Sequence, residues 1–243
     1  MIPASRSPIQ QGGIIAAGLG SRLRADGYCI SKPMVPVAGR PLIEHALDRF
    51  RAVGIRRLTV IINEESEGCR EWLDANGGDL NLDLIVRSTP SSYASFRLVA
   101  DRLDGARAVI TTIDSIMPRA DFHAYVMGAA GFPADAVVLG LTDHVDDENP
   151  LWATLDVPDR RIRQLGGDGG SHVTAGLYLL PAQRLPEPSA GFDRLRDYLS
   201  WLIAQGQPVF GIVLPRVFDI DRARDIIAAE SAVLGDERRN NRA

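Results

Sequence analysis

The sequence has few of the residues that build common metal and redox sites. It contains two cysteines and four histidines among 243 residues. Cys29 and Cys69 form no CxxC pair and have no histidine at the spacing of a zinc site, which argues against a structural zinc. Two reduced thiols suit a cytoplasmic protein, because disulfides are rare in that compartment. We therefore expect a cytoplasmic location.

Long apolar runs and an excess of positive charge are also absent. No stretch reaches the ~18 apolar residues that a membrane-spanning helix needs, and the opening MIPASRSPIQQ lacks the apolar core of a signal peptide. The net charge of −4 disfavours a nucleic-acid-binding protein, since such proteins usually carry a basic patch. We predict a protein that binds neither membranes nor nucleic acids. Formation of a homo-oligomer is left open.

What the chain does contain is an alternation of strand-like and helix-like segments. Apolar runs such as residues 14–17 and RLTVII alternate with amphipathic segments such as PLIEHALDRFRAVG. This alternation predicts an α/β fold, a Rossmann-like three-layer α/β/α arrangement with a mixed, mostly parallel central sheet. No linker divides the chain, so we predict one domain over residues 12–235. Residues 1–11 are expected to form a flexible tail and residues 236–243 a disordered one.

A loop with two glycines follows the first predicted strand. Gly18 and Gly20 let backbone N–H groups approach an anion closely, while Arg22 and Lys32 add positive charge suited to phosphate. A dinucleotide fingerprint fails because Leu23 occupies the place of its third glycine, and no GK[ST] follows for a P-loop. The residues favour phosphate binding, with a glycine turn beside surface cations as the alternative.

The longer stretch, GxGxR followed by nine residues and KPMVPVAGRPLIEHAL, resembles the signature of the nucleotidyltransferases with the sugar-nucleotide pyrophosphorylase fold. That family transfers a nucleoside monophosphate from an NTP to a phosphorylated acceptor, most often a sugar 1-phosphate, and releases pyrophosphate. The resemblance implies catalytic roles for Arg22 and Lys32, which would neutralise phosphates. It implies nucleotide binding by four loop residues, Ala16, Ala17, Gly18 and Gly20.

Aspartates near two later strands match the metal ligands of this family. The resemblance implies Mg²⁺ as cofactor, held by Asp114 at the end of ARAVITTID and by a second acid in FDIDRARDII. Where the family often reads DIDTPEDL, this chain has Arg222 and Ala223 in place of the TP. Asp219 and Asp221 therefore both remain candidates, with Asp219 preferred, because Asp221 would also serve as a helix N-cap.

Base and acceptor recognition match the family less closely. Ser92 in STPSSYASFRL is a candidate nucleotide contact, although helix capping by Ser91 or Ser92 explains the serines equally well. Gly176 in VTAGLYLL is a candidate acceptor contact. The lysine that meets the acceptor phosphate in many relatives is missing from RIRQLGG. Arg161 or Arg163 would replace it, since a guanidinium binds two phosphate oxygens, and we choose Arg163 as the candidate.

Other functions stay open at this point. The serine-containing helix resembles that of cytidylyltransferases that act on phosphocholine-like acceptors. An inactive regulatory relative is disfavoured by four matching residues, Arg22, Lys32, Asp114 and Asp219. A dinucleotide-binding oxidoreductase is disfavoured by Leu23.

Overall fold

The structure, a computed structural model, describes residues 9–103, 105–145 and 149–240, except for the side chains of residues 232 and 234–240. Its strands are β1 (Gln11–Ala16), β2 (Pro36–Val37), β3 (Arg40–Pro41), β4 (Arg57–Ile62), β5 (Asn81–Val86), β6 (Ala108–Thr112), β7 (Ser115–Ile116), β8 (Val137–Thr142), β9 (Trp152–Asp156), β10 (Arg161–Leu165), β11 (His172–Leu180), β12 (Val209–Leu214) and β13 (Phe218–Asp219). Its helices are α1 (Ser21–Ala25), α2 (Leu42–Ala52), α3 (Glu67–Asn76), α4 (Ser92–Ala100), α5 (Arg119–Ala130), α6 (Leu195–Ala204) and α7 (Ala223–Asn240), with a 3-10 helix at Lys32–Met34.

Nine of these strands form one sheet in the order β5-β4-β1-β6-β11-β8-β12-β10-β9. Strands β5, β4, β1 and β6 pair in parallel, as do β8 and β12. Strand β11 is inserted antiparallel between β6 and β8, and the hairpin of β9 and β10 extends the edge beyond β12. The predicted α/β fold with a mixed, mostly parallel sheet is confirmed.

Helices cover both faces of the sheet because successive strand residues point to opposite faces. On one face Ile14 and Val60 pack in a core with α2, α3, α5 and α7. On the other face Ile15 and Ile61 pack in a second core with α4 and α6. Every residue of β1 and of β8 is buried, as expected for strands covered by helices on both faces. These two cores give the three layers.

A helix lies where we predicted no element, between Asp114 and β8. The buried side chains of α5 recur at i, i+3, i+4 and i+7, namely Phe122, Tyr125, Val126 and Ala129. This spacing is a helix signal that the sequence already contains. Helix α5 packs against α2 and β12 and closes one face of the sheet.

The ends of the chain differ from the expected tails. Helix α7 continues to Asn240, so residues 236–240, predicted to be disordered, are helical. Residues 1–8 and 241–243 lie outside the described residues, and the domain boundaries stay a prediction. Within the described parts of the chain, no helix combines the length and the apolar character needed to span a membrane.

Candidate active site

The predicted loop and metal-site residues lie together at the carboxyl ends of the parallel strands. The loop of residues 17–20 follows β1, and Asp114 follows β6. Strand β13 pairs with β7, which sets Asp219 opposite Ser115, and the N–H of Ile220 donates to the carbonyl of Asp114 at 3.1 Å. In parallel α/β sheets this edge is where ligands bind.

Three carboxylates meet at this edge. One oxygen from each of Asp114, Asp219 and Asp221 lies within 4.8 Å of the other two. Neighbouring negative charges repel one another unless a cation lies among them. Carboxylate oxygens are the ligands that Mg²⁺ prefers in proteins, so this donor set fits Mg²⁺. Both acids that the sequence left as alternatives belong to the cluster.

Lys32 lies among these acids. Its Nζ donates to Asp114 at 2.9 Å and to Asp221 at 2.6 Å, and its side chain is only 6% exposed. Burial disfavours the ammonium, but the carboxylates of Asp114, Asp221 and Asp219 outweigh it and raise the pKa of Lys32. Burial likewise opposes ionisation of Asp114, yet Lys32 and a hydrogen bond from Thr112 lower the pKa of that carboxyl. Both groups are therefore charged at neutral pH.

Asp221 is held by cations rather than by the start of α7. Its carboxylate accepts hydrogen bonds from Lys32 and from Nη1 of Arg22. The backbone N–H of Asp221 donates to Asp225 at 3.0 Å, and the N–H of Ala223 donates to Asp26 at 3.0 Å. Other acids thus accept hydrogen bonds from these N–H groups at the beginning of α7. The side chain of Asp221 does not act as the N-cap that the sequence offered as an alternative.

The glycine loop lies beside Lys32. Gly20 precedes α1 with φ +62°, and a Cβ there would come within 3.1 Å of the Cβ of Lys32. Ala16 and Ala17 are buried, and the carbonyl of Ala17 accepts a hydrogen bond from Asn63 Nδ2 at 3.2 Å. Gly18 is exposed. The loop therefore offers backbone to solvent next to the cluster, as a phosphate-binding loop requires.

A cavity of about 330 Å³ opens beside the acid cluster. Asp114, Asp219 and Gly176 line it, and so do Arg194 and Arg196 at the start of α6. Apolar and hydroxyl side chains supply the remaining walls, including Leu151, Thr174, Leu199 and Val217. A compact small molecule fits this volume.

Gly176 shapes the cavity through close packing. Its φ is +63°, and it lies where the pairing of β11 with β8 shifts register. A Cβ at this position would lie 2.0 Å from Ser115 Oγ and 2.3 Å from Thr112 Oγ1. These two hydroxyls are 2.9 Å apart and flank Asp114. Gly176 therefore lines the cavity, as predicted for an acceptor contact, and also leaves room for hydroxyls that the sequence analysis missed, although VITTIDS contains them.

Ser92 also lines the cavity, and its hydroxyl makes a hydrogen bond within the protein. Ser92 Oγ accepts a hydrogen bond from the N–H of Leu195 at 2.9 Å. Ser91 caps α4, because its Oγ accepts from the N–H of Ala94 at 3.0 Å, and it donates to the carbonyl of Phe192 at 2.9 Å. Capping by Ser91, one of the alternatives, is observed. The two serines join α4 to the segment before α6.

Arg163 lies outside the cavity lining. It is on the β9–β10 hairpin with a side chain that is 52% exposed, and Nη2 contacts Asp156 at 2.7 Å and Asp159 at 3.4 Å. The acceptor role predicted for Arg163 is therefore not supported by its position. The arginines at the cavity are Arg194 and Arg196, which we missed because the pattern FDRLRDYLSW indicates only an amphipathic helix.

Comparisons with known proteins agree with this geometry. A family model for the MobA-like NTP transferase domain matches residues 12–185. The CMP-5′-(3-aminopropyl)phosphonate synthase of Streptomyces rubellomurinus is 33% identical over 190 residues, covering 69% of this chain and 27% of the relative. The glucose-1-phosphate thymidylyltransferase of Actinoplanes sp. is 30% identical over 122 residues, covering 49% of this chain and 40% of the relative. The matched part is thus less than half the length of either relative.

Solved structures share the fold over nearly the whole chain. The inositol-1-phosphate CTP transferase of T. maritima superposes with a TM-score of 0.75 at 18% identity, covering 94% of this chain and 99% of the other. A UDP-glucose pyrophosphorylase superposes with a TM-score of 0.74 at 11% identity, covering 92% of this chain and 98% of the other. At these identities the likeness shows the fold alone.

Proposed function

We propose that this chain, which belongs to the MobA-like NTP transferase domain family, transfers a nucleoside monophosphate from an NTP to a phosphorylated small molecule and releases pyrophosphate. The observation that carries the proposal is the cluster of Asp114, Asp219 and Asp221 around Lys32 beside a cavity of about 330 Å³. The names of two relatives support the same reaction, since one is a glucose-1-phosphate thymidylyltransferase and the other a synthase of a CMP-linked phosphonate. We keep the expectation that it acts in the cytoplasm.

Asp114, Asp219 and Asp221 would hold Mg²⁺, because their oxygens converge and are hard ligands. When bound, the cation would neutralise negative charge on the reacting phosphate groups. Lys32 contacts two of these acids and would supply a second positive charge beside the cation. An inactive relative would have no need to keep a buried lysine among three acids.

The chain's own residues would contribute charge and position. An oxygen of the acceptor attacks the α-phosphorus of the NTP, and a new P–O bond forms as the bond to pyrophosphate breaks. Because the acceptor oxygen is already anionic, no general base is required, and catalysis rests on neutralising and orienting the anions. Arg22 and Lys32 would bind phosphate oxygens, and the backbone of residues 17–20 would approach the triphosphate.

Two acceptor classes have support. Sugar 1-phosphates are the commonest acceptors in the family that the glycine loop resembles. A cytidylyl transfer to an aminoalkyl phosphonate or a phosphocholine-like compound is favoured by the 33% identical relative, whose name describes a CMP-linked aminopropyl phosphonate. Ser92 by itself does not distinguish the two classes, because the structure accounts for its hydroxyl through the bond from the N–H of Leu195.

A matrix of nucleotides against acceptors tests the proposal. ATP, CTP, GTP, UTP and dTTP would each be combined with glucose 1-phosphate, 3-aminopropylphosphonate or phosphocholine in the presence of Mg²⁺. We expect acceptor-dependent release of pyrophosphate with at least one pair, and a product of the expected mass. Wells without acceptor and wells with chelator are the controls. Absence of acceptor-dependent pyrophosphate with every pair would overturn the proposal.

A further inference from the structure

We propose that Arg194 binds the phosphate or phosphonate group of the acceptor, and that Ser92 positions Arg194 by holding the start of α6. The inference rests on the proposed function, because it assigns a part of the same cavity. It replaces the predicted role of Arg163, whose guanidinium is bound to Asp156 and Asp159 outside the cavity lining.

The charges around the cavity favour an anion at α6. Asp114 and Asp219 belong to the candidate metal site, and the other fully charged side chains among the described lining residues are Arg194 and Arg196. Arg196 donates to the carbonyl of Asn149 at 2.9 Å. In the described part of the chain, the guanidinium of Arg194 has no hydrogen-bond or ion-pair partner. It is therefore available to an incoming anion without first breaking an internal contact.

One cavity joins the beginning of α6 to the acid cluster. Arg194 and Arg196 line it together with Asp114 and Asp219, and its volume is about 330 Å³. An acceptor bound in this cavity would therefore have both the arginines and the proposed metal ligands around it.

A guanidinium suits the chemistry of the acceptor. Its planar fork binds two oxygens of a phosphate or phosphonate. The third non-ester oxygen then stays available to attack the α-phosphorus. A lysine ammonium would supply charge without this fixed orientation. Arg194 would therefore both bind the acceptor and turn its attacking oxygen toward the nucleotide.

Ser92 fixes the backbone next to Arg194. Arg194 precedes the first turn of α6 in an extended conformation and makes no side-chain capping bond. Ser92 Oγ instead accepts from the N–H of Leu195, and Ser91 Oγ donates to the carbonyl of Phe192. The N-cap and first residue of α4 therefore hold the chain on both sides of Arg194. Ser92 acts through α6 and is a positioning residue.

Steady-state kinetics of Arg194→Gln test the assignment, with Arg102→Gln as a matched control. Arg102 is similarly exposed but pairs with Asp83, away from the cavity lining. With the active pair from the matrix, we expect Arg194→Gln to raise the acceptor KM on the order of tenfold or more, as for a lost bond to a charged group. The NTP KM should stay within about twofold. Arg194→Lys should restore part of the loss, and Arg102→Gln should leave both constants unchanged.

Ser92→Ala should move the same constant less strongly, and Ser92→Thr should recover it, because threonine keeps the hydroxyl. A rise in NTP KM instead would assign Ser92 to the nucleotide and overturn its positioning role. An unchanged acceptor KM in a folded Arg194→Gln protein would overturn the inference and leave the proposed function standing. A wild-type protein that releases no pyrophosphate with any pair would overturn both. Thermal melts establish that each variant is folded.

Discussion

Replacing Gly176 by alanine should damage both the fold and the candidate metal site. The added Cβ would lie 2.0 Å from Ser115 Oγ and 2.3 Å from Thr112 Oγ1. Real contacts of this kind are longer than 3 Å, so the two hydroxyls or β11 must move by about 1 Å. Because these hydroxyls flank Asp114 and hydrogen-bond each other, the movement displaces a proposed metal ligand.

The magnitude follows from two separate costs. An alanine at φ +63° pays ~1–2 kcal/mol for the left-handed backbone. Forcing the extra methyl into a packed site costs a further ~1–3 kcal/mol. We therefore expect a loss of ~2–5 kcal/mol in the free energy of unfolding. A displacement of about 1 Å near reacting groups can cost ~10²-fold in turnover.

Gly54→Ala is the matched control, because Gly54 has φ +76° and a Cβ there would meet nothing within 4 Å. Gly54→Ala should therefore lose only the stability that the left-handed backbone costs an alanine. Urea unfolding should show a larger loss for Gly176→Ala than for Gly54→Ala, and pyrophosphate release should fall only in the former. The double variant Gly176→Ala/Ser115→Ala should regain part of the stability, since it removes the closest hydroxyl. Equal stability and equal activity for the two single variants would refute the packing role of Gly176.

Three further predictions concern other residues of the site and core. Lys32→Ala should reduce turnover far more than Arg57→Ala, because Lys32 contacts two acids of the cluster; similar small effects would remove Lys32 from catalysis. Asp219→Asn and Asp221→Asn should each raise the Mg²⁺ concentration needed for half-maximal activity, and a variant without this effect is not a metal ligand. His45 is buried and bonded to the carbonyl of Val37 at 2.8 Å, and burial lowers its pKa in the folded state. The unfolded chain therefore takes up a proton at His45 more readily than the folded protein, and the contribution of His45 to stability is lost as pH falls below its unfolded pKa of about 6.5. Between about pH 7.5 and about pH 5.5, the melting temperature of the wild type should fall more than that of His45→Asn.

The parts of the site that were predictable from sequence are those set by strand ends. A glycine loop after β1 and an aspartate after β6 meet because the carboxyl ends of parallel strands lie at one edge. The glycine loop and Asp114 therefore needed only a correct strand order, whereas Asp219 and Asp221, at the antiparallel strand β13, were predicted from the family resemblance. Helix α5 was also within reach, since its buried residues follow a helical period.

The acceptor side was not predictable in the same way. Arg163 and Arg194 are both exposed arginines in the sequence after β8, and residue type alone does not separate them. What separates them is tertiary structure: Arg163 is on the β9–β10 hairpin outside the cavity lining, whereas the start of α6 is bound to α4 beside the cavity. The contacts of Lys32 with Asp114 and Asp221 likewise join segments far apart in the chain.

Following the fate of a labelled α-phosphate tests metal-dependent nucleotidyl transfer most directly. An α-³²P-labelled NTP would be incubated with its acceptor and Mg²⁺, using the wild-type protein and Asp114→Asn at matched thermal stability. We predict that the label moves to the acceptor as one equivalent of pyrophosphate is released, and that Asp114→Asn slows this transfer by ~10²–10³-fold. Label that appears only in free nucleoside monophosphate, or transfer at the wild-type rate by Asp114→Asn, would contradict the assignment of this site.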